Sequence, residues 1–230
     1  MDKFLHRIEM LVGEKNLMTI QSKKVIVFGV GGVGGQAAES IVRSGIGHIT
    51  IVDRDVVDIT NINRQVVALN SNVGDIKVEA LRKRLLDINP NLSIKTIYDE
   101  VNETTINGFD LEEYDFVVDA IDSIRDKITL IEYCFLHHIP IISSMGAGNR
   151  FDPTKVIITD VFKTKDDPLA KIIRGALRKI AIKKLVVVTS PEPPVKTGLR
   201  TPSSSPFVPP AYGLAIASYI FQYFLNNNVK

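Results

Sequence analysis

Val25-Ile-Val-Phe-Gly-Val-Gly-Gly-Val-Gly-Gly35 begins as an apolar, largely β-branched run and turns to glycine after four residues. The run reads as a buried strand. Gly29, Gly31 and Gly34 then stand in G-x-G-x-x-G spacing, which lets a backbone turn tightly and come close to a phosphate. Gln36 to Gly45 reads as a helix stopped by glycine, and His48-Ile-Thr-Ile-Val-Asp53 as a second strand ending in an acid. Together they make a βαβ nucleotide-binding unit. The helix N-terminus supplies N–H groups and positive potential, and Asp53 is placed to accept hydroxyls of a ribose. The motif alone does not say which nucleotide.

Outward from this unit, strands and helices keep alternating. Residues 4–21 read as one or two short helices before the first strand. Gly74 to Ile88 has helical apolar spacing, and Asn89-Pro90 stops it. Strands follow at 93–98, 114–121 and 139–143, with a helix at about 125–138 between the last two. This order predicts an α/β, doubly wound, Rossmann-like and mostly parallel sheet. After an adenylation core over 1–154, a C-terminal extension over 155–230 is expected to pack on the same domain. It holds a strand at 156–160, a basic helix at 168–184, a strand at 185–189, a Pro/Ser-rich mobile loop at 190–210, and an apolar helix from about Tyr212 to Leu225. That helix is apolar nearly all round, so burial in the domain or at a subunit interface is expected.

Hydrophobic residues are 45% and charged residues 23% of 230, the balance of an ordinary globular protein rather than a membrane or disordered chain. The N-terminus lacks a signal pattern, and no apolar run reaches the ~18 residues a bilayer span needs. A cytoplasmic setting without membrane association is expected. The single cysteine, Cys134, rules out an internal disulfide and a Cys-rich zinc site. It lies in an apolar helix and reads as a small hydrophobe. His137-His138 at the end of that helix suits the dipole better than a metal.

A dehydrogenase needs little polar chemistry beyond its ribose acid. Here Asp53-Arg-Asp-Val-Val-Asp-Ile-Thr-Asn-Ile-Asn-Arg-Gln65 follows, then Gly74-Asp-Ile-Lys77, then Asp122 just past a strand. The carboxyl ends of parallel strands share one edge, so these residues should converge near the glycine turn. Nucleotidyl transfer builds negative charge on the phosphates, and cations aimed there stabilise it. Arg64 can clamp phosphate oxygens and Lys77 can act on them as a point charge. Asp122 can hold Mg²⁺. Taken singly, each reads as a solvated surface charge; their grouping favours function.

These pieces resemble the ThiF/MoeB/HesA group of ubiquitin-activating-like adenylyltransferases. The matching stretches are Arg7 to Gly13, Gly29 to Gly34, Asp53-Arg-Asp55, Asn61-Ile-Asn-Arg-Gln65, Gly74-Asp-Ile-Lys77 and Asp119-Ala-Ile-Asp-Ser123. The resemblance implies an ATP site built on Gly29, Gly31, Gly32, Gly34, Asp53, Asp55, Asn61, Arg64, Gln65 and Lys77. Within it Gly32 would lie against the phosphates, and Asn61, Arg64 and Lys77 would hold the triphosphate. It also makes Asp122 the Mg²⁺ ligand and implies a homodimer in which Arg7 reaches the neighbouring site.

Within the group, Ser144-Met-Gly-Ala-Gly148, Asp152-Pro-Thr154, the Asp160–Ala170 stretch and Ser205 to Leu214 resemble the tRNA threonylcarbamoyladenosine dehydratases. That resemblance implies activation of the threonyl carboxylate of the modified adenosine next to the anticodon as an acyl-adenylate, then ring closure with loss of AMP. No enzyme thiol is required. Some members carry a later cysteine that can take sulfur from a desulfurase, but this tail has none, so a cysteine desulfurase partnership through a relay thiol is not expected. The alternative is adenylation of the C-terminal Gly-Gly of a sulfur-carrier protein, against which the missing Cys-x-x-Cys counts.

Charge distribution bears on the tRNA. Lys163, Lys165, Lys171, Arg174, Arg178, Lys179, Lys183 and Lys184 stand against only Asp166 and Asp167 over 163–184, in a chain of net charge +2. Such a helix is either a solvated face or a track for a phosphate backbone. Lys171, Arg174, Arg178, Lys179, Lys183 and Lys184 are the candidate tRNA contacts. No aromatics interleave them, so backbone contact is expected there rather than stacking.

Overall fold

The computed structural model describes residues 3–199 and 201–227. Residues 1–2, 200 and 228–230 of the expected core, loop and tail lie outside the described residues. Seven strands form one sheet in the order β3-β2-β1-β4-β5-β7-β6. β1 (Lys24–Phe28), β2 (His48–Val52), β3 (Ser93–Ile97), β4 (Phe116–Asp119), β5 (Ile141–Ser144) and β7 (Val186–Thr189) run parallel. β6 (Ile157–Asp160) closes one edge antiparallel to β7. The chain winds outward from β1 to β2 and β3, then crosses back to β4, so the order reverses between β1 and β4. A crevice opens at such a switch point beyond the strands' carboxyl ends.

Strand alternation builds two cores. Val25 and Val27 of β1 and Phe116 and Val118 of β4 enter the larger cluster. Ile26, Phe28 and Val117 face the opposite one. On the first face pack α3 (Gly34–Arg43), α4 (Lys77–Ile88) and α7 (Val208–Asn227); α5 (Ile124–Leu136) contributes Leu130 and Cys134 to the other. α6 (Pro168–Lys179) adds Ala170, Ile173 and Leu177 to a third cluster around Val187. α1 (His6–Val12) and α2 (Glu14–Gln21), divided at Gly13, are the two short helices expected before β1.

Three elements depart from expectation. α4 starts at Lys77 rather than Gly74, because Gly74 has φ 95° and Ile76 bridges Val56. α6 ends at Lys179, where Ala181 takes φ 59° and the chain turns toward β7. α7 begins at Val208 and takes Pro209 and Pro210 into its first turn, where a missing N–H costs nothing. Its buried Val208, Tyr212, Ile216, Ile220 and Phe224 repeat every four residues, so one stripe lies in the domain. α7 crosses so near α3 that a Cβ on Gly213 would stand 2.5 Å from the Val33 carbonyl oxygen.

Among the described residues of 190–207 there is no strand or helix, and hydrogen bonds tie this stretch to residues 149–152. Asn149 exchanges hydrogen bonds with Ser203, and its carbonyl accepts from the Val195 N–H at 2.8 Å. The Ser205 hydroxyl donates to the Arg150 carbonyl, and the Glu192 carboxylate accepts from the Phe151 and Asp152 N–H groups. Among the described residues no helix is long and apolar enough to cross a membrane.

Candidate active site

Gly29 leaves β1 with φ 81°, its N–H donating to the Val52 carbonyl at 2.8 Å. The first turn of α3 then folds over it so closely that a Cβ on Gly34 would stand 1.7 Å from the Gly29 oxygen. Only glycine fits there. Asp53, at the end of β2, clamps this turn: its carboxylate accepts from the Val30 N–H at 2.7 Å and from the Asp55 N–H at 2.8 Å. Both bonds fix its orientation, and a carboxylate with about four acceptor directions keeps capacity for two hydroxyls.

The polar loop after β2 delivers the cations. Lys77 is 5% exposed; its Nζ donates to Asp55 Oδ2 at 2.7 Å and its backbone N–H to the Asp55 carbonyl at 3.0 Å. Asp55 therefore acts on the lysine, holding its charge at the cavity wall. Arg64 is half-buried and oriented by the Thr60 carbonyl at 2.9 Å and by Asn63 Oδ1 at 2.8 Å. Asn61 caps its own turn by accepting from the Asp58 N–H. Gln65 is buried, and its Oε1 has no hydrogen-bond partner.

These groups line one cavity of about 410 Å³ at the switch point. It brings together Gly29, Gly31, Gly32, Asp53, Asp55, Asn61, Arg64, Gln65, Lys77 and Asp122. Gly34 acts from beneath, through the turn. Arg7 lies outside it, exposed on α1. The first turns of α3, α4 and α5 all reach the cavity, through Val33, Lys77 and Ser123. Their free N–H groups and dipoles favour anions there. Asp126, one turn beyond Asp122, faces the same space. Ala147, Gly148, Ser204 and Pro209 also line it, as do Arg54, Asp99, Glu100 and Val101, and Asn63 Nδ2 donates to the Ser204 carbonyl at 3.0 Å. The anchored tail thus touches the loop that carries Arg64.

Two buried ionic groups support these walls. Lys127, fully buried on α5, donates to both oxygens of Asp119 at 2.8 Å and to Ser143 Oγ at 3.3 Å. Asp119 also accepts from the Ile121 N–H, so the pair fixes the segment leading to Asp122. Arg150, equally buried, donates to the carbonyls of Gly146, Asp166 and Glu192 and lies 3.8 Å from Asp167. Asp167 accepts from the Gly146 N–H, the Thr189 hydroxyl and the Ala170 N–H that opens α6. The sequence reading missed both. Lys127 carried one signal, a lone lysine on the face that brings Leu130, Ile131 and Cys134 into the core.

The basic segment divides. α6 runs from Asp167 at the carboxyl edge of the sheet to Lys179, about 18 Å away at 1.5 Å per residue. Lys171, Arg178, Lys179, Lys183 and Lys184 are exposed. Arg174 is half-buried, and one guanidinium nitrogen, Nη1, donates to the Val161 and Thr164 carbonyls and to the Thr164 hydroxyl. Lys184 lines a second cavity, on the far edge. Cys134 is fully buried there, and burial pushes its thiol well above the usual range, which suits a packing role.

The ThiF family model matches residues 5–191. The tRNA threonylcarbamoyladenosine dehydratase of Bacillus subtilis (strain 168) is 42% identical to this chain, over 93% of this chain and 91% of its own length. That of Escherichia coli (strain K12) is 43% identical over 73% of this chain and 63% of its own. The crystal structure of the E. coli tRNA N6-threonylcarbamoyladenosine dehydratase in complex with ATP superposes with TM-score 0.93 at 35% identity, covering 98% of this chain and 95% of that one. A family model matching most of the chain and relatives above 40% identity show that this chain belongs to the ThiF family.

Proposed function

We propose that this protein is the ATP-dependent enzyme that dehydrates threonylcarbamoyladenosine in tRNA, closing the ring of the modification through an acyl-adenylate. One observation carries the reading: Arg64, Lys77, Asp122 and the glycine turn line a single cavity with the anchored tail as one wall. An ATP-binding adenylation site needs the first three groups. The second reactant would approach along the tail wall.

ATP fits the crevice with its ribose on Asp53 and its phosphates toward the helix N-termini. The orphaned Gln65 Oε1 is a waiting acceptor. The threonyl carboxylate attacks the α-phosphorus, the bond to pyrophosphate breaks, and Arg64 and Lys77 offset the charge that develops. The ureido group of the same side chain then attacks the acyl carbon. The acyl–oxygen bond breaks, AMP leaves, and the sum is loss of water. Cys134, buried at the opposite edge of the sheet, takes no part.

Asp122, with Asp126 beside it, would hold Mg²⁺. Among the described residues no three His, Cys, Asp or Glu side chains form a metal cluster. One or two carboxylates plus phosphate oxygens and waters are the usual environment of this ion. When bound, it neutralises charge on the departing pyrophosphate.

Dimerisation belongs to the same proposal. Met10 and Leu11 of α1 are 73% and 75% exposed, near Arg7, an apolar surface suited to a second copy. Lys171, Arg178, Lys179, Lys183 and Lys184 would follow tRNA phosphates, giving binding that weakens steeply with salt. A cytoplasmic setting is part of the same proposal, since ATP and tRNA are both plentiful there.

The test is AMP release from ATP and Mg²⁺ with tRNA carrying threonylcarbamoyladenosine against the same tRNA unmodified. AMP only with the modified tRNA is expected. AMP that instead requires a Gly-Gly carrier protein replaces this reading with the alternative.

A further inference from the structure

Two exposed phenylalanines stand on segments whose neighbouring residues line the cavity, and the cavity lining includes neither ring. Phe151 is 64% exposed and Phe207 56%. Gly148, three residues before Phe151, and Pro209, two residues after Phe207, both line the cavity. One hydroxyl joins their backbones: Ser205 Oγ donates to the Arg150 carbonyl at 3.0 Å and lies 3.4 Å from the Phe207 N–H. Arg150 is buried, and the Phe151 N–H is held by the Glu192 carboxylate at 3.1 Å. Both rings are therefore presented by a braced backbone, although 55 residues of sequence separate Arg150 from Ser205.

Charge of both signs lies along these segments: Asp152 follows Phe151 and the Glu192 carboxylate holds the Phe151 N–H, while two exposed lysines stand on backbone tied to the same brace. Exposed Lys165 precedes Asp166, whose carbonyl accepts from Arg150 at 3.1 Å. Exposed Lys196 follows Val195, whose N–H donates to the Asn149 carbonyl at 2.8 Å. Aromatic faces flanked by cations suit unpaired nucleotides: bases stack on the rings and phosphates meet the lysines. Because the rings are braced beforehand, little ordering is left for binding to impose.

We propose that Phe151 and Phe207 form a stacking platform for unpaired bases flanking the modified adenosine, with Lys165 and Lys196 on the adjoining phosphates. The platform supplies the stacking that the basic 163–184 segment lacks. It rests on the tRNA reading of the cavity and names the surface that holds the loop open.

The test uses the full chain and an anticodon stem-loop RNA carrying the modified adenosine. Phe151→Ala and Phe207→Ala should each raise the RNA KM about tenfold, with the ATP KM unchanged. Tyrosine at either position should keep the wild-type value. Leucine, apolar but without a π-face, should behave as alanine. A 2-aminopurine beside the modified adenosine should change fluorescence on binding wild type and not on binding Phe151→Leu/Phe207→Leu. Leucine variants with wild-type RNA KM overturn the platform. So do alanine variants that lose self-association at unchanged RNA KM, which would make the face an interface between copies. Absence of AMP with the wild-type protein and modified RNA defeats the tRNA reading itself, a separate outcome.

Discussion

Two cavities of similar size, about 410 and 380 Å³, lie at opposite edges of one sheet. The first sits at the carboxyl ends of β1, β2 and β4 among carboxylates, Arg64, Lys77 and Gln65. The second sits at the amino ends of β5 and β7, lined by Ile131, Cys134, Phe135, Ile139, Ile182 and Leu185 with His138 and Lys184. α5 serves both, presenting Ser123 and Asp126 at its start to the first, and Cys134 and His138 at its end to the second. Volume does not separate them; strand direction does. In a parallel sheet the helices following the strands begin at the carboxyl edge, so free N–H groups and positive dipole ends gather there. At the amino edge helices finish, and apolar side chains close the space.

The buried pair between the two cavities gives the largest expected effect. Lys127→Met leaves the buried Asp119 charge without its cationic partner and should cost about 3–5 kcal/mol in denaturant unfolding. A loss under about 1 kcal/mol would mean that water reaches Asp119. Next, Arg64→Ala should lower AMP formation by about 10²–10³-fold with little change in thermal unfolding. Activity near wild type would remove the polar cavity from the chemistry. Cys134→Ala, at the other edge, should leave AMP formation intact and cost about 1 kcal/mol of stability as a small buried deletion. An inactive but folded Cys134→Ala would reverse the assignment of the two cavities.

The smallest effect lies outside both cavities. Burial pushes the Glu39 carboxyl up, but hydrogen bonds from Arg84 at 2.6 Å and Arg43 at 2.8 Å outweigh it and hold it below its ordinary value. A carboxyl lowered by folding adds stability above its unfolded pKa of 4.5, and that stability is lost as pH falls through the lower folded value. Glu39→Gln should therefore cost about 1 kcal/mol at neutral pH and flatten the acid limb of the stability profile. An unchanged acid limb would leave the pair without stabilising effect.

Legibility followed distance along the chain. The glycine turn, Asp53 and the Asn61–Gln65 loop were readable because each is a short pattern with local geometry. Lys77 and Asp122 were readable because parallel strands must end at a common edge. Charge counting cannot see that Arg174 Nη1 is tethered to the Val161 and Thr164 carbonyls. Lys127 and Arg150 escaped notice because a buried charge is recognisable only with its partner, and Arg150 finds acceptors at Asp166 and Glu192.

By itself the sequence determined the α/β class, the strand and helix alternation, the nucleotide turn and the cations of the next loop. These follow from periodicity, turn chemistry and the sharing of one edge by parallel strands. Tertiary structure alone decided that β6 runs antiparallel, that Ser204 and Pro209 of the Pro/Ser-rich stretch line the cavity at the switch point, and that the backbones at Phe151 and Phe207 share a brace. Each of these depends on hydrogen bonds between distant segments, such as Asn63 to Ser204 across 141 residues. No local pattern encodes which backbone groups remain unpaired until the sheet has closed around them.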